Sequence, residues 1–376
     1  MKASKSLAAV AFLFALASCT SPKEARRFPE GEMVLGNPVP VSRVTGASLP
    51  GETLPNPNRT DSLWNLAGTD LGTFCDLGDG KYAMFFGDSF GRGMQIGENG
   101  GPAHGSSSHD WRSNVAAFTS DADLSDGLSF DYMYADPWKP DRAMYVVYRP
   151  DEYHFTSIPT AAICLNGVIY MHYMYWEVSF REHDMQGFSS FAVSRDGGNT
   201  WEDMRGSVRF PWDSNFGMVA MATKPGDKYC YMMGGQTQGH FRKCPPKLAR
   251  FRYDDILKID RYEYWNSGKG KWIRGDEREG TVILPGTGFG EATLLWMEKY
   301  NRWITLYIDS VNKGVFYSTA FDITGPWSTP RKLDTEGYGT FIHPSCATSG
   351  EDVIYFVNSL WKKYNVFLYK ADVTFE

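Results

Sequence analysis

The chain is expected to be an all-β protein, a five-bladed β-propeller. Nearly every periodic segment is short, aromatic or β-branched, and ends in Gly, Asn, Asp or Pro, which is the pattern of strands and turns. Helical periodicity is nearly absent, with one candidate turn in Leu248–Ile259. A form recurs five times: a polar or small residue at a turn, a short strand, a turn and an aromatic-rich partner strand. A region of about 320 residues is too long for one simple sandwich, so repetition is the natural solution.

The five repeats begin at Asp70 (DLGTFCDL), Pro159 (PTAAICL), Phe216 (FGMVAMA), Glu291 (EATLLWM) and His343 (HPSCATS). Their partner and outer strands include Tyr82–Phe86, Val168–Tyr175, Tyr229–Met233, Trp303–Tyr307 and Val353–Val357. Ser194-Arg195-Asp196-Gly197-Gly198-Asn199-Thr200-Trp201 matches the Asp-box, S-x-D-x-G-x-T-W, whose acid and glycines close a hairpin turn while the tryptophan packs between sheets. The run Ser318 to Trp327, with Asp322-Ile323-Thr324-Gly325-Pro326-Trp327 at its end, looks like a turn of five-bladed glycosidases. Asp196 and Asp322 are therefore read as turn residues rather than catalysts.

Ahead of the repeats stands a segment of a different kind. Lys2 and Lys5 precede an apolar run from Leu7 to Ala17, too short to span a bilayer. Leu16-Ala17-Ser18-Cys19 then resembles a bacterial lipobox. Residues 1–18 are expected to be a lipoprotein signal peptide, with Cys19 the lipid-bearing N-terminus. Residues 19–60 would be spacer and lead-in, and residues 61–376 the propeller. The expected location is outside the cytoplasm, tethered to a membrane through the lipid alone, at the cell surface or in the periplasm.

Composition narrows the function. Loss of residues 1–18 removes two lysines, taking the formal charge from 38 − 44 = −6 to 36 − 44 = −8. A mildly acidic chain without a basic block is a poor nucleic-acid binder. Five cysteines remain after Cys19 is set aside, an odd number with no CxxC, so neither a full disulfide framework nor a zinc site is implied. Cys75, Cys164 and Cys346 read as small core residues, and a Cys230–Cys244 bridge across a hairpin is an alternative left open. Aromatics reach 15%, including 12 Trp and 21 Tyr. Most fill a β core, and the excess suits a protein that stacks sugar rings. No P-loop or H-E-x-x-H motif occurs.

The chemistry concentrates on two aspartates eighteen residues apart at the open end of one predicted hairpin: Asp70 in Gly68-Thr69-Asp70-Leu71-Gly72 and Asp88 in Gly87-Asp88-Ser89. A three-residue loop at Gly78-Asp79-Gly80 pairs Leu77 with Lys81 and places Asp70 opposite Asp88, whereas a two-residue turn puts them on opposite faces. Paired carboxylates push their pKa values apart and so divide acid and base work. Innermost strands of a propeller line its channel, so residues at their starts converge on one funnel. This adds Glu291 as a third catalytic acid, whose alternative is an ion pair with Arg92 or Arg302. Trp64, Thr160, Trp176, Asn215, Tyr338 and His343 are candidate substrate contacts. No cofactor is required, and Ca²⁺ near His343 is left open.

The run Leu66-Ala67-Gly68-Thr69-Asp70-Leu71-Gly72 with Met84-Phe85-Phe86-Gly87-Asp88-Ser89-Phe90-Gly91 resembles a family of secreted bacterial five-bladed propellers long catalogued as a domain of unknown function. Ile158–Ala162, Gly290–Leu294 and Tyr338–Pro344 look like its later blades. The similarity covers roughly residues 60–375. Some members are endo-D-arabinanases that cut the D-arabinan of mycobacterial arabinogalactan and lipoarabinomannan. The resemblance implies Asp70 and Asp88 as the catalytic pair of a glycoside hydrolase and a polysaccharide as substrate, and leaves open which acid donates the proton. Two alternatives stand beside it: a non-catalytic glycan-binding propeller, and a glycosidase of other specificity, such as an L-arabinanase, fructanase or sialidase-like enzyme.

Overall fold

Five antiparallel sheets stand around a common axis. The computed structural model describes residues 28–103, 105, 108–147, 155–177, 187–237 and 242–376; the side chains of residues 155, 176 and 177 lie outside that description, as do residues 1–18, Cys19 and the side chain of Trp176. The first strands of the blades are Leu71–Gly78, Phe155–Leu165, Met218–Thr223, Ala292–Met297 and Tyr338–Ile342. Each neighbours the next in that order, and the fifth returns to the first, which closes the ring.

The second and third strands follow outward, each antiparallel to the last: Lys81–Phe86 and Val115–Thr119 in blade 1, Val168–Glu177 and Phe188–Ser194 in blade 2, Tyr229–Gly235 and Lys247–Arg252 in blade 3, Arg302–Asp309 and Gly314–Ala320 in blade 4, and Val353–Leu360 and Asn365–Phe375 in blade 5. The last blade is completed by the beginning of the chain. Met33–Leu35 and Val39–Arg43 both pair antiparallel with Asn365–Phe375. The lead-in therefore supplies the edge of blade 5, so the two ends of the propeller chain are held by one sheet and that sheet's outer edge is covered.

The apolar faces of adjacent sheets make the core. One cluster joins blades 1 and 2 through Phe85, Phe118, Met171 and Tyr173. A second joins blades 2 and 3 through Phe191, Phe210, Met232 and Phe251, and a third joins blades 3 and 4 through Tyr231, Leu294, Trp296 and Trp303. The Asp-box folds as its sequence dictates. Asp196 accepts from the Ser194 hydroxyl at 2.8 Å, the Thr200 amide at 2.9 Å and the Thr200 hydroxyl at 2.6 Å. The Trp201 ring meets Phe85 of blade 1 edge to face, with ring centres 5.6 Å apart. Asp322 likewise caps its own turn through the Thr324 amide and hydroxyl.

Three local expectations change. Leu248–Ile259 holds strand to Arg252 and a 3₁₀ turn at Tyr253–Asp255 rather than an α-helical turn. The Cys230–Cys244 bridge does not form: all five described cysteines are free, and Cys230 is buried in the core between blades 2 and 3. The first hairpin turns on two residues, with Gly78 opposite Lys81. Asp79 and Gly80, both at positive φ, make that tight turn.

Candidate active site

Asp70 precedes the first strand of blade 1, and Asp88 follows the second, so both lie at the same end of the ring. They are not directly opposed. A β-bulge between Leu71 and Thr73 inserts one residue, with Leu71 at φ 67° and Gly72 at φ 109°. Asp70 therefore faces Gly87, whose amide donates to the Asp70 carbonyl at 3.0 Å. The Asp70 carboxylate lies against Gly87 where a Cβ would stand, with Oδ1 only 2.4 Å from that position. Glycine at 87 is what lets the acid tuck back toward Asp88.

Asp70 accepts a hydrogen bond from the Tyr338 hydroxyl at 2.9 Å. Tyr364, buried at the tip of the blade 5 hairpin, brings its hydroxyl to the same carboxyl. Burial, the charge of Asp88 and, less strongly, that of Glu291 push the Asp70 pKa up to about 8, against the opposing pull of Tyr338 and Arg242. A little of Asp70 reaches the surface, but the carboxyl is enclosed by Gly87, Tyr338 and Tyr364, and that enclosure sets its desolvation. Asp70 is thus a carboxylic acid at neutral pH.

Asp88 is held by a different pair of donors. Its Oδ1 accepts from the Trp111 indole nitrogen at 3.1 Å and the Thr156 hydroxyl at 2.5 Å. Donors aimed at a carboxylate favour its charged form. Both come from segments that the sequence did not single out: Trp111 from the long connection after Asp88, and Thr156 from the start of the blade 2 inner strand.

Glu291 stands just before the blade 4 inner strand and is buried. Its carboxylate is clamped by Arg242 in a two-pronged ion pair, with Nε to Oε2 at 2.7 Å and Nη2 on Oε1. The Arg242 guanidinium also lies 5.5 Å from the centre of the Tyr338 ring. The sequence offered Arg92 or Arg302 as partner, but Arg92 binds the Asp61 and Ser62 carbonyls and Arg302 those of Pro29 and Gly31. Gly288 and Gly290 allow the approach, because a Cβ at either would strike Arg242.

The remaining expected contacts divide. Tyr338 is at the site. Asn215 lies at the start of blade 3, where its amide meets Glu277 at 3.5 Å beside the Ser214 hydroxyl. Trp64 caps a short helix, Thr60–Leu63, and packs on the apolar cluster of blades 1 and 5.

Thr160 and His343 are too deep. The blade 2 inner strand starts at Phe155, so Thr160 lies roughly 16 Å along it at 3.3 Å per residue. There it is buried on His172 Nδ1 at 2.6 Å. The blade 5 inner strand starts at Tyr338, and His343 follows its far end, at the opposite mouth from Asp70. His343 caps the turn at Pro344–Ala347 and is buried between the Phe74 and Tyr82 rings. Burial lowers its pKa to about 3, so it is neutral. Ca²⁺ takes six or more oxygen ligands, and these surroundings do not fit it. Among the described residues no cluster of three His, Cys, Asp or Glu side chains could hold a metal ion.

Two further features are excluded from the chemistry. Gly87-Asp88-Ser89-Phe90-Gly91 has the spacing of a serine-hydrolase elbow, yet the Ser89 hydroxyl is fully buried and committed to the Gly87 carbonyl and Thr69. A cavity of about 470 Å³ opens at the other mouth of the ring, among Asp76, Cys164, Thr223 and Glu298, and none of the three site acids lines it. The acids, not this cavity, mark the candidate site.

The profile of the family described as Domain of unknown function (DUF4185) matches residues 55–370. No curated protein matches the sequence. A Bacteroides ovatus protein classed provisionally as a hydrolase superposes with a TM-score of 0.55 at 15% identity, over 83% of this chain and 87% of that one. The GH43_1 enzyme of Xanthomonas citri, solved with xylotriose, gives 0.47 at 12% identity over 83% and 89%. The Bacillus subtilis arabinanase Arb43A gives 0.44 at 10% identity over 81% and 96%. The first of these likenesses shows the shared fold.

Proposed function

The chain belongs to the DUF4185 family, and from that premise we propose that it is a glycoside hydrolase acting on a polysaccharide, with Asp70 as general acid and Asp88 as its carboxylate partner. One observation carries the reading: two carboxyls at the open end of one hairpin, of which Asp70 is enclosed and its pKa pushed up to about 8 by burial and the charge of Asp88. Glycosidic cleavage needs that pair, an acid for the leaving oxygen and an anion for the sugar carbon.

In the proposed reaction the Asp70 carboxyl hands its proton to the glycosidic oxygen as the C1–O bond breaks, and Asp70 is left as carboxylate. The Asp88 carboxylate supplies the negative charge that an oxocarbenium-like transition state requires. Water supplies the hydroxyl at C1, and its remaining proton restores Asp70. Glu291, tied to Arg242, is a positioning group: its charge helps hold Asp70 protonated, and its clamp fixes the guanidinium against Tyr338.

The finer substrate is D-arabinan, cut internally, as the family resemblance suggests; the chain would be exported and tethered through lipidated Cys19. The test is release of oligosaccharides from mycobacterial arabinogalactan and from a panel of other furanoside and pyranoside polymers, by wild type, Asp70→Asn and Asp88→Asn. The reading expects turnover by wild type and loss of at least about 10³-fold in each variant. Glycan binding without turnover on every polymer would sink it in favour of a binding propeller. Products from another polymer alone would move the specificity and keep the acids.

A further inference from the structure

Trp361 sits where a sugar-stacking platform is needed beside the acid. It opens the turn between the second and third strands of blade 5, Val353–Leu360 and Asn365–Phe375. That turn is docked at the candidate site, because the Thr69 amide, next to Asp70, donates to the Tyr364 carbonyl at 3.0 Å. The indole ring meets Tyr338, the donor to Asp70, at 6.0 Å between ring centres, and Tyr364 at 5.7 Å, both steeply inclined to it.

The ring is exposed yet fixed. Half of Trp361 faces solvent, the indole nitrogen donates to the Asn99 carbonyl at 3.1 Å, and the Trp361 carbonyl accepts from the Gly101 amide at 2.7 Å. Gly100 and Gly101, both at positive φ, lie against the indole. A Cβ on Gly101 would come within 2.3 Å of it, and one on Gly100 within 2.7 Å. The backbone of residues 99–101 thus backs part of the ring, Tyr338 and Tyr364 flank it, and half of Trp361 stays open to solvent. An exposed tryptophan held by two tyrosines, a carbonyl and two bare glycines loses little entropy when a ligand covers it.

We propose that Trp361 is a substrate-positioning residue, its exposed surface receiving the C–H face of a sugar ring adjacent to the bond that Asp70 protonates. The proposal rests on the glycosidase reading and adds to the substrate contacts a tryptophan that the sequence had not singled out. It also accounts for the paired glycines in a loop that otherwise contributes nothing to the blades.

The experiment compares wild type, Trp361→Phe and Trp361→Ala on soluble oligosaccharides prepared by partial acid hydrolysis of mycobacterial arabinogalactan. Turnover is followed by product analysis, and binding by calorimetry in the inactive Asp70→Asn background. The expected result is a KM at least tenfold higher and binding at least tenfold weaker for Trp361→Ala, with kcat within about threefold. Trp361→Phe should recover most of both, and all three should melt within a few degrees of one another. Turnover with an unchanged KM in Trp361→Ala overturns the platform and leaves the hydrolase standing. Trp361-dependent binding without turnover by wild type overturns the hydrolase and leaves the platform standing. Neither binding nor turnover of any of these oligosaccharides overturns the D-arabinan reading and the platform argued from it.

Discussion

Replacing Asp70 by Asn should abolish hydrolysis and at the same time stabilise the protein, with a gain that depends on pH. The folded-state pKa of Asp70, about 8, lies above its ordinary value of 3.8. Between those values the unfolded chain carries the carboxylate while the folded chain must hold the proton. Stability is therefore unaffected by this group below about pH 4, falls steadily as pH rises through the window, and levels off above about pH 8, where the folded protein bears a buried anion. Each pH unit is worth ~1.36 kcal/mol. Just over three units separate 3.8 from neutrality, so the ceiling on the cost at pH 7 is ~4 kcal/mol. Asn cannot ionise and can still accept from Tyr338, so the variant should escape most of that cost. At roughly 2 °C per kcal/mol for a chain of this size, Asp70→Asn should melt several degrees above wild type at pH 7–8 and level with it near pH 4. Calorimetric or fluorescence melts of both proteins across pH 4–9 measure the difference. Wild-type kcat/KM should fall over the same upper range, as Asp70 loses the proton it donates. A melting difference that is absent, reversed or flat with pH would refute the claim that Asp70 is the strained acid of the site.

Arg242→Met should destabilise strongly, by ~3–5 kcal/mol, because it leaves Glu291 buried without its partner; urea unfolding should show the loss, and Arg242→Met with Glu291→Leu should recover most of it. Thr156→Val removes a donor from Asp88 and should lower kcat about tenfold with little change in KM, the effect of ~1.4 kcal/mol in the transition state. Steady-state kinetics read that split directly. Asp196→Ala in the Asp-box should cost ~1–2 kcal/mol in unfolding experiments through three lost turn hydrogen bonds, and leave kcat unchanged.

What the sequence reveals and hides follows from how local each signal is. Turn chemistry is written in contiguous residues, and the Asp-box and the Asp322 turn fold as read. The aspartate pair is also local, two acids at the ends of one hairpin. Its register was harder, because one bulge at Gly72 and another at Asp76–Gly78 each insert a residue that no alternation pattern counts. They offset the two-residue turn, so Thr73 pairs with Phe85 on the register that a three-residue loop would give, and only the hairpin's ends slip. In blades 2 and 5 the inner strand begins ahead of the residues that read as turn punctuation, whereas blade 4 begins right after Glu291. Blade 2 therefore enters at Phe155 and offers Thr156, and blade 5 enters at Tyr338 and leaves His343 at the far mouth.

The deepest part of the site was illegible because it is assembled across blades. Arg242 reaches Glu291 from 49 residues away, Thr156 reaches Asp88 from 68, and Tyr338 reaches Asp70 from 268. No periodicity encodes such distances; they arise where neighbouring blades meet, and the last of them joins blade 5, whose sheet Met33–Leu35 and Val39–Arg43 complete, to blade 1. The acid's protonation is thus a property of the closed ring. Tyr338 and Tyr364, which enclose Asp70, belong to the blade that the N-terminal strands complete. Loosening that closure would open the enclosure, let water reach Asp70 and lower its pKa toward the ordinary carboxylate range, so the same strands that end the fold also maintain the chemistry at its mouth.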